Sequence, residues 1–391
     1  MTDDYRTPVV VAARRTFVGT AGKGHRGLLV DELAAPVLVA ALDDARRAGT
    51  TAPVDDVVLG NCTGPGGNVA RVAALRAGLG DRVPGMVVDR QCGSGLAAIL
   101  TASHAVRSGA VDLVLAGGAE SASTAPERWH RPGQAPGRAN ADAQPFARAP
   151  FAPEGSPDPE MGAAADVLAA ARGISRDRQD AYALASHRKA LAAHAAGRFD
   201  RETVTLGTVV RDERARVLDP ALLARLRPAF GGTVTAATAS PVSDGAAAVA
   251  VVPESSRHGA PGLRVLDGVV VGCDPALPGW GPVPAVQHLL ARTGRSLDEV
   301  AVVEIVEAFA AQVLAVTDAL GLDTAGRDSG RVCPDGGALA LGHPWGASGA
   351  IAVTRLFSRL VRGGAPAGTL GLATAAIGGG SGIAVLLEVV R

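Results

Sequence analysis

Apolar residues along the first hundred positions fall into short β-rich runs separated by helical stretches. Runs at 8–13, 54–60 and 86–89 read as strands, with helices near 29–48 and 69–78 between them. That alternation predicts α/β order. The next transition is sharper: Val87-Val88-Asp89 runs into Arg90-Gln91-Cys92-Gly93-Ser94-Gly95 and a helical stretch over 96–108. A further strand, 111–116, ends at Gly117-Gly118-Ala119-Glu120.

The same order recurs near the carboxyl end. Trp345-Gly346-Ala347-Ser348-Gly349 opens a helix through about position 361, followed by a strand at 369–374 and the run Gly378-Gly379-Gly380. Likewise Val54-Asp55-Asp56-Val57-Val58-Leu59 is echoed by Leu297-Asp298-Glu299-Val300-Ala301-Val302. The repeat is far longer than a solenoid unit, so the pattern predicts two fused α/β halves, each bringing one small-residue helix start to a shared centre. The expected division is 1–117 with 245–258 for the first half, 118–244 for an inserted loop domain, and 262–391 for the second half. Within the insertion, 121–159 is rich in Pro, Ala, Gly and Arg with little periodicity, and 162–197 is strongly helical. A loop of this length is expected to bind or cap a ligand.

Composition narrows the function. Thirty-eight basic residues balance 38 acidic ones, leaving no broad positive field for a nucleic-acid backbone. Aromatics make up only 3% of the 391 residues, so a core of Val, Leu and Ala in close α/β layers is expected. Cys62, Cys92, Cys273 and Cys333 form no CxxC pair and show no disulfide-like spacing, and they read as reduced thiols. No metal site is expected. The first residues lack an apolar signal core and no uncharged apolar run is long enough to span a bilayer, which points to a soluble cytoplasmic protein.

Two residues carry candidate chemistry. Cys92 lies between a strand and a Gly/Ser-rich helix start, where unpaired N–H groups and the helix dipole favour a thiolate. Gly93 and Gly95 leave room for a carbonyl to approach the sulfur. His343 sits in Gly336-Gly337-Ala338-Leu339-Ala340-Leu341-Gly342-His343-Pro344, before the helix of the second half. If the halves pack by pseudo-twofold symmetry, its imidazole faces Cys92 and can take its proton.

At these residues the chain resembles the thiolase superfamily, and the likeness extends over nearly its whole length. Besides Cys92-Gly93-Ser94-Gly95 and Gly342-His343-Pro344, it includes Gly117-Gly118-Ala119-Glu120-Ser121, Arg178-Gln179-Asp180 and Leu226-Arg227-Pro228-Ala229-Phe230. It continues through Gly232-Thr233-Val234-Thr235-Ala236, Ser243-Asp244-Gly245-Ala246-Ala247, Glu307-Ala308-Phe309-Ala310 and Ile377-Gly378-Gly379-Gly380. The resemblance implies a five-layered αβαβα fold from two duplicated halves, a homodimer or homotetramer, and an acyl-CoA or acyl-carrier thioester as substrate with no separate cofactor. It further implies a nucleophilic Cys92, a proton-accepting His343, oxyanion donors at the Cys92 and Gly378 amides, and substrate contacts from Arg216, Ser240 and Phe309.

Two positions depart from the family pattern. Ala376 stands where thiolases carry a second cysteine that serves as acid and base on the substrate carbon, and Val306 stands where they usually place a water-orienting Asn. A positioned base is worth about 10²–10⁴-fold and one oxyanion donor about 10²–10³-fold, so the substrate-carbon chemistry is expected to differ. Cys62 and Cys333 are candidates for a substitute thiol, and Thr238 replaces a usual Asn before the Ala-Ser pair. The leading expectation is a Cys92 acyltransferase whose acceptor is a decarboxylating malonyl-type thioester, an amine, a hydroxyl or water. A thiolase-like binding subunit and an ordinary acetyltransferase with a replacement base are the alternatives.

Overall fold

The structure, a computed structural model, describes residues 4–133 and 142–391. In chain order the first half runs β1 (Pro8–Thr16), α1 (Val30–Arg47), β2 (Asp56–Gly60), α2 (Val69–Arg76), β3 (Met86–Val88), α3 (Ser94–Arg107), β4 (Val114–Ser121) and, after a long excursion, β5 (Ser243–Pro253). The excursion contains α4 (Met161–Ala171) and α5 (Arg176–Ala195). The second half runs β6 (Gly262–Gly272), α6 (Pro282–Thr293), β7 (Val300–Ile305), α7 (Ala310–Ala319), α8 (Trp345–Leu356), β8 (Leu370–Ile377) and β9 (Ser381–Val390).

Duplication is written in the sheet order, β7-β8-β9-β6-β1-β5-β4-β2-β3. In the first half β5 lies antiparallel between β1 and β4, and β4 is parallel to β2. In the second half β9 lies antiparallel between β6 and β8, and β8 is parallel to β7. The halves join edge to edge through the short antiparallel pairing of Val9 and Val10 with Arg264 and Leu263. Along this order, among the described residues, β3 is the strand without a counterpart; two short strands, Gly19–Thr20 and Thr203–Val204, also pair with β5 and β1 of the first half.

Period-two side-chain alternation sorts the strands between layers. Val58, Val114, Ala116, Val249 and Val251 face a central core with α3, α8 and the β8–β9 residues Ala373, Ala375 and Val385. Val57, Leu59, Leu115, Ala248 and Val252 face α1 and α2 on one outer side. On the other outer side Val303, Leu372 and Leu386 pack with α6 and α7. The result is helix, sheet, helix, sheet, helix, with α3 and α8 in the middle. No helix among the described residues is long and apolar enough to cross a membrane.

Several boundaries differ from the sequence expectation. Gly117–Glu120 belong to β4 and do not follow it, because their backbones pair with Ala248–Gly245 of β5. The last strand starts and ends later than 369–374, so Ala376 is a ladder residue opposite Gly382. The helix expected to reach about 361 changes to a π-turn over Phe357–Arg362. The excursion matches its expected helices, and residues 134–141 of its irregular part lie outside the described residues.

Candidate active site

Backbone contact, with few side chains between, brings the two central helices together. A Cβ on Gly95 of α3 would lie 2.7 Å from the Ala350 nitrogen and 3.0 Å from the Gly346 oxygen of α8, and one on Gly118 would overlap that same oxygen. Glycine at these positions lets both helix starts converge. Glu120, fully buried at the end of β4, locks the junction. It accepts hydrogen bonds from Asn61 Nδ2 (3.0 Å), the Thr63 amide (3.0 Å), the Cys62 amide (3.1 Å) and, across the halves, the Gly346 amide (3.0 Å).

Cys92 lies in a single 3₁₀ turn, Gln91–Gly93, immediately before α3. Gln91 holds a left-handed φ of 47°, which costs a non-glycine residue conformational energy and marks a turn fixed by its surroundings. Beneath the turn Gly93 sits against Ile377 and Ile383, so the end of β8 abuts the cysteine. The amides of Cys92 and Gly378 point at the sulfur. Burial nevertheless pushes the thiol up to about 12, with Glu120 and Asp89 acting in the same direction. The helix start therefore does not by itself hold Cys92 as a thiolate, as its sequence position suggested; desolvation outweighs the oriented amides.

His343 is buried two residues ahead of α8. Its amide bonds Pro241 O (3.2 Å) and Ser243 Oγ (3.1 Å), which fixes the loop against the end of the excursion. The Ser348 hydroxyl donates to Pro344 O (2.9 Å), so it accepts from His343 Nδ1 at 2.6 Å. This assigns the proton to Nδ1 and leaves a bare lone pair on Nε2, which has no protein partner. Burial lowers the imidazole to about 4, so it is neutral and able to accept a proton at pH 7.

The departed positions lie in the same centre. Ala376 is half-buried next to Ile377 on β8, and Val306 is buried just beyond β7 with its amide on Thr374 O (3.0 Å). Neither alternative thiol is at Ala376. Cys62 reaches Gln91 O (3.3 Å) and Ser94 Oγ (3.6 Å) behind the Cys92 turn, and burial raises its thiol. Cys333 is fully buried with its thiol on Ile305 O (3.4 Å), and burial raises it well above the ordinary range.

The excursion supplies the other wall. Ser240 is half-buried and its amide bonds Ala308 O (2.9 Å), beside the Ala239–Phe309 bridge. Phe309 meets the exposed Phe230 edge to face at 6.3 Å. Thr238 turns inward, its hydroxyl receiving the Thr235 amide at 2.9 Å. Phe151 covers Gly378 and Gly379, where a Cβ on Gly378 would lie 2.7 Å from its ring. Arg216 is exposed, and its amide donates to Nδ1 of buried His187 (3.3 Å). Next to it Arg214 donates to Ala236 O (2.8 Å). Burial and then Arg216 lower Arg214 to about 10, and burial and then these two arginines lower His187 to about 4. Neither arginine has a carboxylate partner among the described residues.

Sequence reasoning named Cys92, His343, Gly378, Arg216, Ser240, Phe309, Val306 and Ala376. It assigned no role to Ser348, Glu120, Arg214, His187 or Phe151. The spacing of Ser348 five residues after His343 at a helix start was a readable signal, whereas Phe151 lies in a stretch without periodicity and was not readable.

Comparisons with known proteins place this arrangement. The thiolase N-terminal domain family matches residues 8–255 and the thiolase C-terminal domain family matches 261–389. A Bacillus subtilis protein provisionally named an acetyl-CoA C-acetyltransferase, YhfS, is 40% identical, with 97% of this chain and 99% of that protein covered. The crystal structure of the Bacillus anthracis acetyl-CoA acetyltransferase is 35% identical with a TM-score of 0.86, covering 98% of this chain and 99% of that one. The human mitochondrial 3-ketoacyl-CoA thiolase is 33% identical with a TM-score of 0.86 over the same shares.

Proposed function

The chain belongs to the thiolase family through both of its halves, and from that premise we propose that it is an acyltransferase carrying its acyl group as a thioester on Cys92. The observation that carries the reading is the contact between the starts of α3 and α8, one preceded by a thiol facing two amides and the other by an imidazole whose Nε2 lone pair is free.

At neutral pH both partners rest uncharged, so activation is a proton transfer that accompanies attack. Cys92 gives its S–H proton to His343 Nε2 as the sulfur attacks the thioester carbonyl of an acyl-CoA or acyl-carrier donor. The carbonyl π electrons move to oxygen, and that oxyanion faces the amides of Cys92 and Gly378. Collapse expels the donor thiolate, which takes the proton from the imidazolium and leaves S-acyl-Cys92 and a free thiol. Arg214, partly desolvated, and the exposed Arg216 beside it support a phosphate-bearing donor such as CoA, since two adjacent guanidinium groups favour a multivalent anion.

The second half-reaction is where this chain differs from its family. With Ala376 on β8, no thiol stands ready to deprotonate a substrate carbon. A malonyl-type acceptor, which generates its carbanion by losing CO₂, or transfer to an amine, hydroxyl or water, avoids that requirement. Ala376 and Val306 also favour one second reading, a thiolase-like subunit that binds an acyl thioester without turnover.

Intact-mass spectrometry after incubation with acetyl-CoA, acetoacetyl-CoA and malonyl-CoA separates these. An acyl adduct lost on Cys92→Ala substitution is the expected result. A folded protein that binds CoA and gains no adduct from any of the three supports the binding subunit.

A further inference from the structure

Behind His343 the face of α8 formed by Ser348, Ile351, Ala352 and Arg355 fronts Glu304 and Val306 across a cavity of about 30 Å³. The volume has room for roughly two water molecules. Its polar lining has three contributors: the Ser348 hydroxyl, which already holds His343 Nδ1; the Arg355 Nε, buried and without a partner; and the Glu304 carboxyl.

Glu304 has the same strand parity as Val302, so it points inward from β7 to the central layer. It is only 4% exposed, yet it has no protein hydrogen bond or ion pair among the described residues. A carboxyl in that position is costly unless it is hydrated or protonated. Arg355 favours its ionised form, while Asp335, Glu307 and Glu202 oppose it. The nearest demands on Arg355 lie elsewhere, since its two terminal nitrogens engage Glu202 and Asp335.

We propose that Glu304 is a positioning residue for the Cys92–His343 pair: through water in this cavity and the Ser348 hydroxyl, its carboxylate balances the charge that His343 acquires when it takes the Cys92 proton. The inference rests on the acyl-transfer reading above. Burial alone lowers the proton affinity of His343, and no carboxylate is in direct contact with its ring among the described residues, so any balancing charge has to reach it through intervening groups. Val306, in place of the family's Asn, gives the same cavity an apolar wall. Burial holds the Glu304 carboxyl up at about 8, so the balancing charge grows as pH passes through that value.

The test follows Cys92 alkylation by iodoacetamide, read by peptide mass spectrometry, at pH values on both sides of 8. Wild type is expected to show a rise in rate around that pH beyond the ordinary increase of thiolate with pH. Glu304→Gln is expected to remove that rise and slow alkylation about tenfold on the alkaline side, equivalent to one pKa unit on His343. Glu304→Asp is expected to keep it. A Glu304→Gln profile superimposable on wild type overturns the proposal. Should that variant fail to fold, infrared difference spectra of wild type before and after Cys92 alkylation decide instead. A protonated-carboxyl band that responds to alkylation supports the proposal, and a spectrum without one overturns it. If Cys92 is no more reactive than Cys273 in wild type, the acyl-transfer reading fails as well, so the two failures are distinguishable.

Discussion

At the scale of single residues burial leaves both Cys92 and His343 uncharged at neutral pH. Burial lifts Cys92 to about 12 and Cys273 to about 11, so acidity alone does not make Cys92 the more reactive thiol. In the proposed reading what distinguishes Cys92 is a proton acceptor, the free Nε2 of His343. We therefore expect His343→Asn to slow Cys92 alkylation by about 10²–10⁴-fold while leaving Cys273 unchanged, with Cys273 as the internal reference in the same digest. Equal labelling of the two cysteines in wild type would remove the support for the assigned nucleophile. Ala376 leads to a second expectation. Loading of Cys92 needs its thiol, His343 and backbone amides, whereas condensation of acetyl-CoA or thiolysis of acetoacetyl-CoA needs a base on the substrate carbon. Ala376→Cys is thus expected to raise thiolysis more than loading, and Ala376→Cys with Val306→Asn to raise it further, because Val306 withholds an oxyanion contact worth about 10²–10³-fold. Adduct mass and free-CoA release follow the two steps separately, and wild-type thiolysis already equal to that of the double variant would show that the carbon-acid chemistry is intact. The motif residues were readable because each sits next to a glycine or in a turn. Arg214 and Glu304 were not, since their importance lies in what they face across the chain.

Elements meet here in two contrasting ways, one apolar and close, the other charged and long-range. The close contact is the meeting of α3 and α8 with β2 and β4, where Gly60, Gly95, Gly118 and Gly346 bring backbones together with few side chains between. Gly118→Ala is expected to destabilise the fold by about 1–3 kcal/mol in urea unfolding and to lower Cys92 alkylation, since the displaced start of α8 follows directly on the His343 loop. Unchanged stability would mean that the strand shifts without cost and that the close packing does not govern the site. The charged contact ties the excursion to both halves. Arg15 of β1 is fully buried and bonds Glu202 (2.7 Å) and Asp212 (2.7 Å) of the excursion, while Arg355 of α8 bonds the same Glu202 and Asp335. Sequence periodicity revealed the strands and the central helices because they are apolar on a fixed period. It located Gly117–Glu120 outside a strand because glycine carries no β signal; pairing with β5 overrides that weak preference. The charged cluster was invisible for a different reason, its bonded partners lying up to 197 positions apart in the chain.

For the whole molecule, duplication makes the unmatched part informative. Each half ends its sheet at an outer strand, and the two ends are treated differently. On the second half the free edge of β7 is covered by its own chain, with the Val303 amide on Arg331 O (2.9 Å) and the Cys333 amide on Val303 O (2.9 Å). On the first half the added strand β3 ends the sheet with no strand on its far side among the described residues. Met86 on that strand is 40% exposed, and the adjoining α2 exposes Val72 and Leu75. An uncovered edge with apolar neighbours invites pairing, and natural proteins seldom leave one bare. The edge also leads directly into Asp89 and the Cys92 turn, and a pocket of about 360 Å³ lined by Cys62, Asp89 and Arg128 opens beside it. We therefore expect a homodimer at least, with β3 of two copies side by side and each copy closing the other's pocket. Sedimentation at micromolar concentration should show no monomer. Met86→Lys should shift the protein towards monomer and reduce Cys92 acylation in parallel, because the partner would buttress the strand that carries the nucleophile's turn. A wild-type monomer that acylates Cys92 normally would show that the edge needs no partner and that the turn is held by Glu120 and α8 alone.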